Sequence, residues 1–156
     1  DLLCACAERF PGRMTTHLIV GLGETEKEMW QVICECYKRH ITVGLFAFTP
    51  LKGTKFADRQ PPDRGSYRRL QIGLELLKKG YEATVVEFEG ESITKINVPA
   101  VWEVLADGHA FRTTGCEDCN RPYYNEKPRD VLYNYHRPLT AEELELAFAE
   151  SGVIGC

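Results

Sequence analysis

Cys116 and Cys119 stand three residues apart in Gly115-Cys116-Glu117-Asp118-Cys119-Asn120-Arg121-Pro122, a stretch bounded by Gly and Pro. That spacing lets two thiolates reach one metal ion or one iron–sulfur cluster. It equally suits a redox dithiol, and two inert thiols would need no partner. A closed metal site needs ligands beyond this pair, and His109, His136, Cys156, or Cys4 with Cys6 are the candidates. Cys34 and Cys36 make a poor pair, because two positions apart on a helix they point roughly 200° away from each other. The same objection meets Cys4 and Cys6 if that segment is helical. Arg121 could hold an anion or act as an unusual ligand, or simply pair with Glu117 or Asp118.

Two further stretches carry residue types that suit ligand binding. In His17-Leu18-Ile19-Val20-Gly21-Leu22-Gly23-Glu24, an apolar run ends in glycines ahead of a helix start. Glycines let a backbone approach a ligand closely, and a helix start offers free N–H groups. A tight turn with no ligand would need the same glycines. In Leu45-Phe46-Ala47-Phe48-Thr49-Pro50-Leu51-Lys52-Gly53-Thr54, aromatic residues fall at the end of an apolar run. In parallel α/β folds ligands sit at that end of the strands, so Phe46 and Phe48 either stack on a flat ring or fill core.

The elements that position these residues follow from periodicity. Residues 1–10 read as a helix end broken by Pro11-Gly12. His17–Gly21 reads as a buried strand. Thr25 and Glu28 form a capping box, and Met29, Trp30, Ile33, Cys36 and Tyr37 share one face of the helix it opens, which ends near His40. Val43–Phe48 is a second strand. Strand, helix, strand with such a crossover implies a parallel βαβ unit. Leu51–Asp63 is a loop and Ser66–Lys79 a helix, with Tyr67, Leu70, Leu74 and Leu77 on its core face and Gly80 as its stop. Ala83–Phe88 and Ser92–Val98 alternate around Glu89-Gly90-Glu91 as an antiparallel hairpin. A short helix after Pro99 carries Val101, Trp102 and Leu105 and stops at Gly108. Thr140 and Glu143 form a second capping box, with Leu139 and Leu144 as its hydrophobic staple, for a last helix running to about Glu150. A boundary is expected near residue 80. Residues 1–80 then form part of an α/β barrel or doubly wound sheet, and 81–156 a small α+β appendage.

Composition narrows the class. At 156 residues, 44% hydrophobic and 27% charged, the chain is ordinary for a globular domain. A net charge of −4 with no basic block gives no footprint for nucleic acid or an anionic membrane. No apolar run approaches a membrane span. Seven cysteines form an uneven set with no targeting signal, which points to a reducing cytoplasm and to metal before disulfides. Asp1 is not a start Met, and Leu2-Leu3-Cys4-Ala5-Cys6-Ala7 reads like a helix interior. The sequence is therefore expected to begin inside a fold, a processed N-terminus being the other reading.

Taken in order, these motifs resemble the radical S-adenosylmethionine (SAM) superfamily. Its fifth barrel strand carries Gly-x-Ile-x-Gly-x-x-Glu. Here Ile19, Gly21 and Glu24 match, while His17 replaces the first Gly. Gly-Leu-Gly-Glu-Thr is similar to biotin synthase and its relatives, and Leu45–Pro50 followed by Lys52-Gly53-Thr54 to the sixth strand and its exit loop. Phe111–Glu126, then Tyr133-Asn134-Tyr135 and Arg137-Pro138-Leu139, resemble the C-terminal region of biotin-synthase-like proteins, some of which act in pairs as a two-component lipoyl synthase. The superfamily's Cys-x-x-x-Cys-x-x-Cys motif is absent here. Truncation, a split enzyme or a degenerate homologue would each account for that.

The resemblance implies an α/β fold: the C-terminal part of a partial (β/α)6 TIM-like barrel, then a small α+β appendage. It implies SAM as cofactor, with Ile19 packing on adenine, Gly21 and Gly23 giving access, Glu24 stabilising the turn, and Phe46, Ala47 and Phe48 lining the adenine edge. It implies a radical 4Fe–4S cluster with ligands outside this chain, and a second cluster held by Cys116 and Cys119. The expected reaction is sulfur insertion into an unactivated C–H position, of lipoyl-synthase type, and this chain alone would not generate the radical. Partners would be the missing N-terminal half or a partner radical SAM subunit, and an octanoylated carrier protein. The rival readings are a noncatalytic zinc- or cluster-binding module, and a radical SAM enzyme of another chemistry such as biotin synthesis. Anaerobic reconstitution of the complete protein is expected to give two 4Fe–4S clusters by Mössbauer spectroscopy and iron count. A single cluster, unaffected by Cys116→Ala, would defeat the second-cluster expectation.

Overall fold

A computed structural model of the chain describes residues 2–114 and 132–153. The element order is α1 (Leu2–Arg9), β1 (Met14–Val20), α2 (Glu26–Lys38), β2 (Ile41–Ala47), α3 (Arg64–Lys78), β3 (Val86–Glu89), β4 (Ser92–Ile96), α4 (Val101–Val104) and α5 (Ala141–Ser151), with 3-10 turns at Ala83–Val85 and His109–Phe111. The architecture is mixed α and β with two small sheets. β1 and β2 pair in parallel, from Met14↔Ile41 to Val20↔Ala47, and β3 and β4 pair as an antiparallel hairpin. No further strand joins either sheet among the described residues. No described helix is long and apolar enough to cross a membrane.

The parallel βαβ unit forms where the sequence places it, with shifted ends. β1 begins at Met14 rather than His17, because Met14, Thr15 and Thr16 pair with Ile41, Thr42 and Val43. Its apolar side is alternating rather than continuous, so the apolar run marks only its second half. Gly21 leaves the strand at φ 103°. The Thr25–Glu28 capping box is present at the start of α2. Met29, Trp30, Ile33 and Cys36 are buried as expected, whereas Tyr37 is 41% exposed and Cys34 takes a buried place. Cys36 looks into a cleft that it shares with Leu3 and Cys4 of α1, so α2 buries a second side beneath that helix.

The two faces of the parallel pair differ. Thr16, Leu18 and Val20 share a face with Val43, Leu45 and Ala47, which are buried under the helices. Thr15, His17 and Ile19 share the opposite face with Thr42, Gly44 and Phe46, and all but Gly44 and Phe46 are exposed there. Parallel sheets are ordinarily covered on both faces. Among the described residues this one has helices on one face only.

Helix α3 is the centre of the fold. Tyr67, Leu70, Leu74 and Leu77 are buried, and so are Ile72, Gly73 and Leu76 on its other side. Trp30 packs so tightly on it that a Cβ at Gly73 would lie 2.5 Å from Trp30 Cζ3. The Arg68 side chain is fully buried. Its Nε donates to Glu150 Oε2 at 2.9 Å, Nη1 to Gln71 Oε1 at 2.9 Å and to the Tyr133 carbonyl at 2.6 Å, and Nη2 to the Leu132 carbonyl at 2.6 Å. The guanidinium also lies over the rings of Phe111 and Tyr135, at 5.4 and 5.7 Å. Next to it, Arg69 reaches Glu26 at the start of α2 and the Ser151 carbonyl at the end of α5, and Glu26 also accepts from the Ile93 amide of β4.

The same layer closes the outer edge of β2. Phe48 N–H donates across to the Val20 carbonyl of β1, so Leu45, of opposite parity, turns its polar groups outward. The Leu45 amide donates to Thr114 Oγ1 at 3.0 Å, and its carbonyl accepts from Tyr67 Oη at 2.8 Å. Asn134 completes this cluster through Tyr67 and Gln71. An edge that would otherwise recruit another strand is thus capped by side chains. One continuous core of buried residues contains Ile33, Leu45, Ile72, Ile93, Phe111 and Phe148, from both sides of residue 80.

Beyond α3, the expected strand from Ala83 opens instead as a 3-10 turn, and pairing starts at Val86. The second capping box, at Thr140 and Glu143, is present at the start of α5, and Leu139 and Leu144 both pack against the core. A buried charge stripped of its partners is costly. Arg68→Ala empties a fully buried site, leaves the Leu132 carbonyl without its donor, and leaves Glu150 only Arg64 and the Tyr133 carbonyl only Gln71. It is expected to lower unfolding stability by about 2–5 kcal/mol in urea denaturation. Gly73→Ala, which drives Trp30 out of place, is expected to cost about 1–3 kcal/mol in the same assay.

Candidate functional site

The turn after β1 is built around one carboxylate. Glu24 Oε1 accepts from the Gly21 amide at 2.6 Å and Oε2 from the Leu22 amide at 2.9 Å. Gly21 and Gly23 have φ values of 103° and 119°, a region that L side chains rarely adopt. A Cβ on Gly21 would lie 2.9 Å from Pro62 Cδ, and one on Gly23 would lie 3.0 Å from Arg59 Nη1. Both glycines therefore admit the chain's own 51–63 loop. The two amides that a ligand could have used are already bound to Glu24.

A groove of about 530 Å³ lies beside this turn, at the C-terminal ends of β1 and β2 and on their helix-free face. It is lined by His17, Ile19, Phe46, Ala47, Phe48, Thr49 and Leu51. Ile19 and Leu51 are 44% and 63% exposed, while Phe46 is buried at 7%. Ala47 pairs with Val20 on the helix side and is buried there, so it offers the groove its backbone. The His17 ring meets Phe46 edge-on at 4.9 Å, and Phe48 meets Phe56 edge-on at 6.2 Å. The Arg59 guanidinium covers Phe56 at 5.2 Å.

Of the residues singled out from sequence, Ile19, Phe46, Ala47 and Phe48 meet in this groove, and Gly21, Gly23 and Glu24 form the turn beside it. His17, Thr49 and Leu51 were not foreseen as lining. His17 was detectable, since two-residue strand periodicity puts it on the face of Ile19.

Cys116 and Cys119 lie outside the described residues. Among the described residues no three of His, Cys, Asp and Glu gather as a metal site, so Cys4, Cys6, His109 and His136 do not form one together. Cys4, Cys6, Cys34 and Cys36 are free thiols. Burial pushes the Cys34 thiol up to about 11, Lys38 opposing and Glu35 reinforcing the shift. Burial also raises Cys36, with smaller contributions from Cys4 and Glu35. Both therefore stay protonated near neutral pH and are poor nucleophiles and metal ligands.

Comparison of the chain with protein-family models, with curated proteins and with solved structures gives no match. The Glu24→Ala variant removes the acceptor for two amides. Amide hydrogen exchange at Gly21 and Leu22 is expected to rise about tenfold or more, that being the effect of losing a charge-assisted hydrogen bond. Unchanged exchange would show that the turn holds itself without Glu24.

Proposed function

We propose that this chain is the C-terminal portion of a radical SAM enzyme and that the groove on the helix-free face takes the adenosyl group. The observation that carries the reading is the groove itself, apolar and partly aromatic, at the C-terminal ends of two parallel strands that, among the described residues, carry helices on one side only. A sheet face without helices suits the lumen of a barrel, where ligands gather at the strand ends. Ile19 would pack on the purine face, with Phe46 and Phe48 beside it and the Ala47 backbone at the ring edge. Glu24 would hold the turn rather than touch the ligand, since its oxygens already bind Gly21 and Leu22.

SAM bound to a reduced 4Fe–4S cluster supplies hydrogen-abstracting chemistry. The described residues hold no ligand set for a cluster. On this reading the cluster belongs to another part of the enzyme or to a partner radical SAM subunit. The finer assignment, sulfur insertion of lipoyl-synthase type on an octanoylated carrier protein in the cytoplasm, rests on the resemblance of residues 111–126 and 133–139. There Cys116 and Cys119 would hold a second cluster.

Titration of the labelled chain with SAM, followed by amide and methyl NMR, tests the adenosyl reading. Shifts are expected at His17, Ile19 and residues 46–51. Shifts centred elsewhere, or none at millimolar SAM, would overturn it.

A further inference from the structure

The geometry points to His17 as the residue that sets the groove's base specificity, by hydrogen-bonding the edge of a purine whose face lies on Ile19. The inference deepens the adenosyl reading and rests on it. His17 and Ile19 project from the same face of β1, two residues and hence about 6.6 Å apart along the strand. Their register partners on β2 are Gly44 and Phe46.

The imidazole lies over Gly44 and against Phe46. A Cβ at Gly44 would fall 2.8 Å from His17 Cδ2 and 3.1 Å from Phe46 Cε2, so the missing side chain at Gly44 is what gives the ring its room. Phe46 braces it edge-on at 4.9 Å with the planes 85° apart. No hydrogen bond engages its ring nitrogens among the described residues, and His17 is exposed to the groove. Apart from Thr49, the other side chains on the groove wall are apolar. A largely apolar site with one or two fixed polar groups is how small-molecule pockets obtain orientation and specificity.

The spacing suits a purine. A ring lying on Ile19 and against Phe46 extends its edge down the strand toward the next residue on that face. A hydrogen bond of about 2.9 Å then spans the remaining gap to the imidazole. An imidazole presents one N–H donor and one acceptor nitrogen, and the acceptor suits the exocyclic amine of adenine. Because Phe46 braces the ring before a ligand arrives, less side-chain freedom is lost on binding.

The test is a cycle between His17 and that amine. Affinities for S-adenosylhomocysteine and for its analogue lacking the 6-amino group are measured by calorimetry on the wild type, His17→Ala and Gly44→Ala. The wild type is expected to bind the analogue about tenfold more weakly, the loss typical of one hydrogen bond. His17→Ala is expected to bind both ligands equally, near the wild-type affinity for the analogue. Gly44→Ala, which keeps the imidazole but displaces it, should behave the same way. Equal binding of both ligands by the wild type, or a tenfold preference for the amine retained in His17→Ala, would overturn the assignment while leaving the adenosyl reading intact. No binding of either ligand to the wild type would overturn both.

Discussion

The buried guanidinium of Arg68 is the constraint on which the rest of the fold depends. A charge with no solvent contact persists only when its donors are engaged. Arg68 meets that demand by drawing in Glu150 of α5, Gln71 of its own helix and the carbonyls of Leu132 and Tyr133. Those contacts bring the segment after residue 131 alongside α3. Asn134 and Tyr67 can then reach the outer edge of β2 at Leu45. The end of β2 that carries Phe46 and Phe48 is therefore fixed by a polar layer whose anchor is one helix away.

A second chain of dependence runs through the glycine turn. Glu24 binds the Gly21 and Leu22 amides, and the room left by the two glycines takes Pro62 and Arg59. Tyr133 donates to the Pro62 carbonyl at 2.7 Å, which joins this loop to the Arg68 layer. The turn beside the groove is thus a filled and self-satisfied structure. What it leaves open, among the described residues, is the face of β1 bearing His17 and Ile19, and that opening is what supports the adenosyl reading.

Local elements were legible in the sequence where a short-range rule fixes them. Both capping boxes satisfy their own helix ends, so Thr25–Glu28 and Thr140–Glu143 predict α2 and α5 without tertiary knowledge. The core face of α3 followed from its period, but the buried Arg68 did not. No sequence rule announces a guanidinium whose partners, Gln71 apart, lie more than sixty residues away. The start of β1 was missed because Thr15 and Thr16 are polar and pair through backbone register. Of the candidate site, Ile19 and Phe46–Phe48 were readable as apolar residues at strand ends. Strand periodicity places His17 on the face of Ile19, but the room that Gly44 gives its ring is a relation that only register supplies. The residues that carry the second-cluster expectation, Cys116 and Cys119, lie outside the described part of the chain.

The central claim is that the helix-free face at the ends of β1 and β2 receives an adenosyl group. Photolabelling with an azidoadenosyl analogue of SAM, mapped by peptide mass spectrometry, tests it most directly. The account predicts covalent label confined to the peptides spanning residues 17–19 and 46–51, and competed away by unlabelled SAM. Label on the cleft between α1 and α2, or label that SAM does not displace, would contradict it.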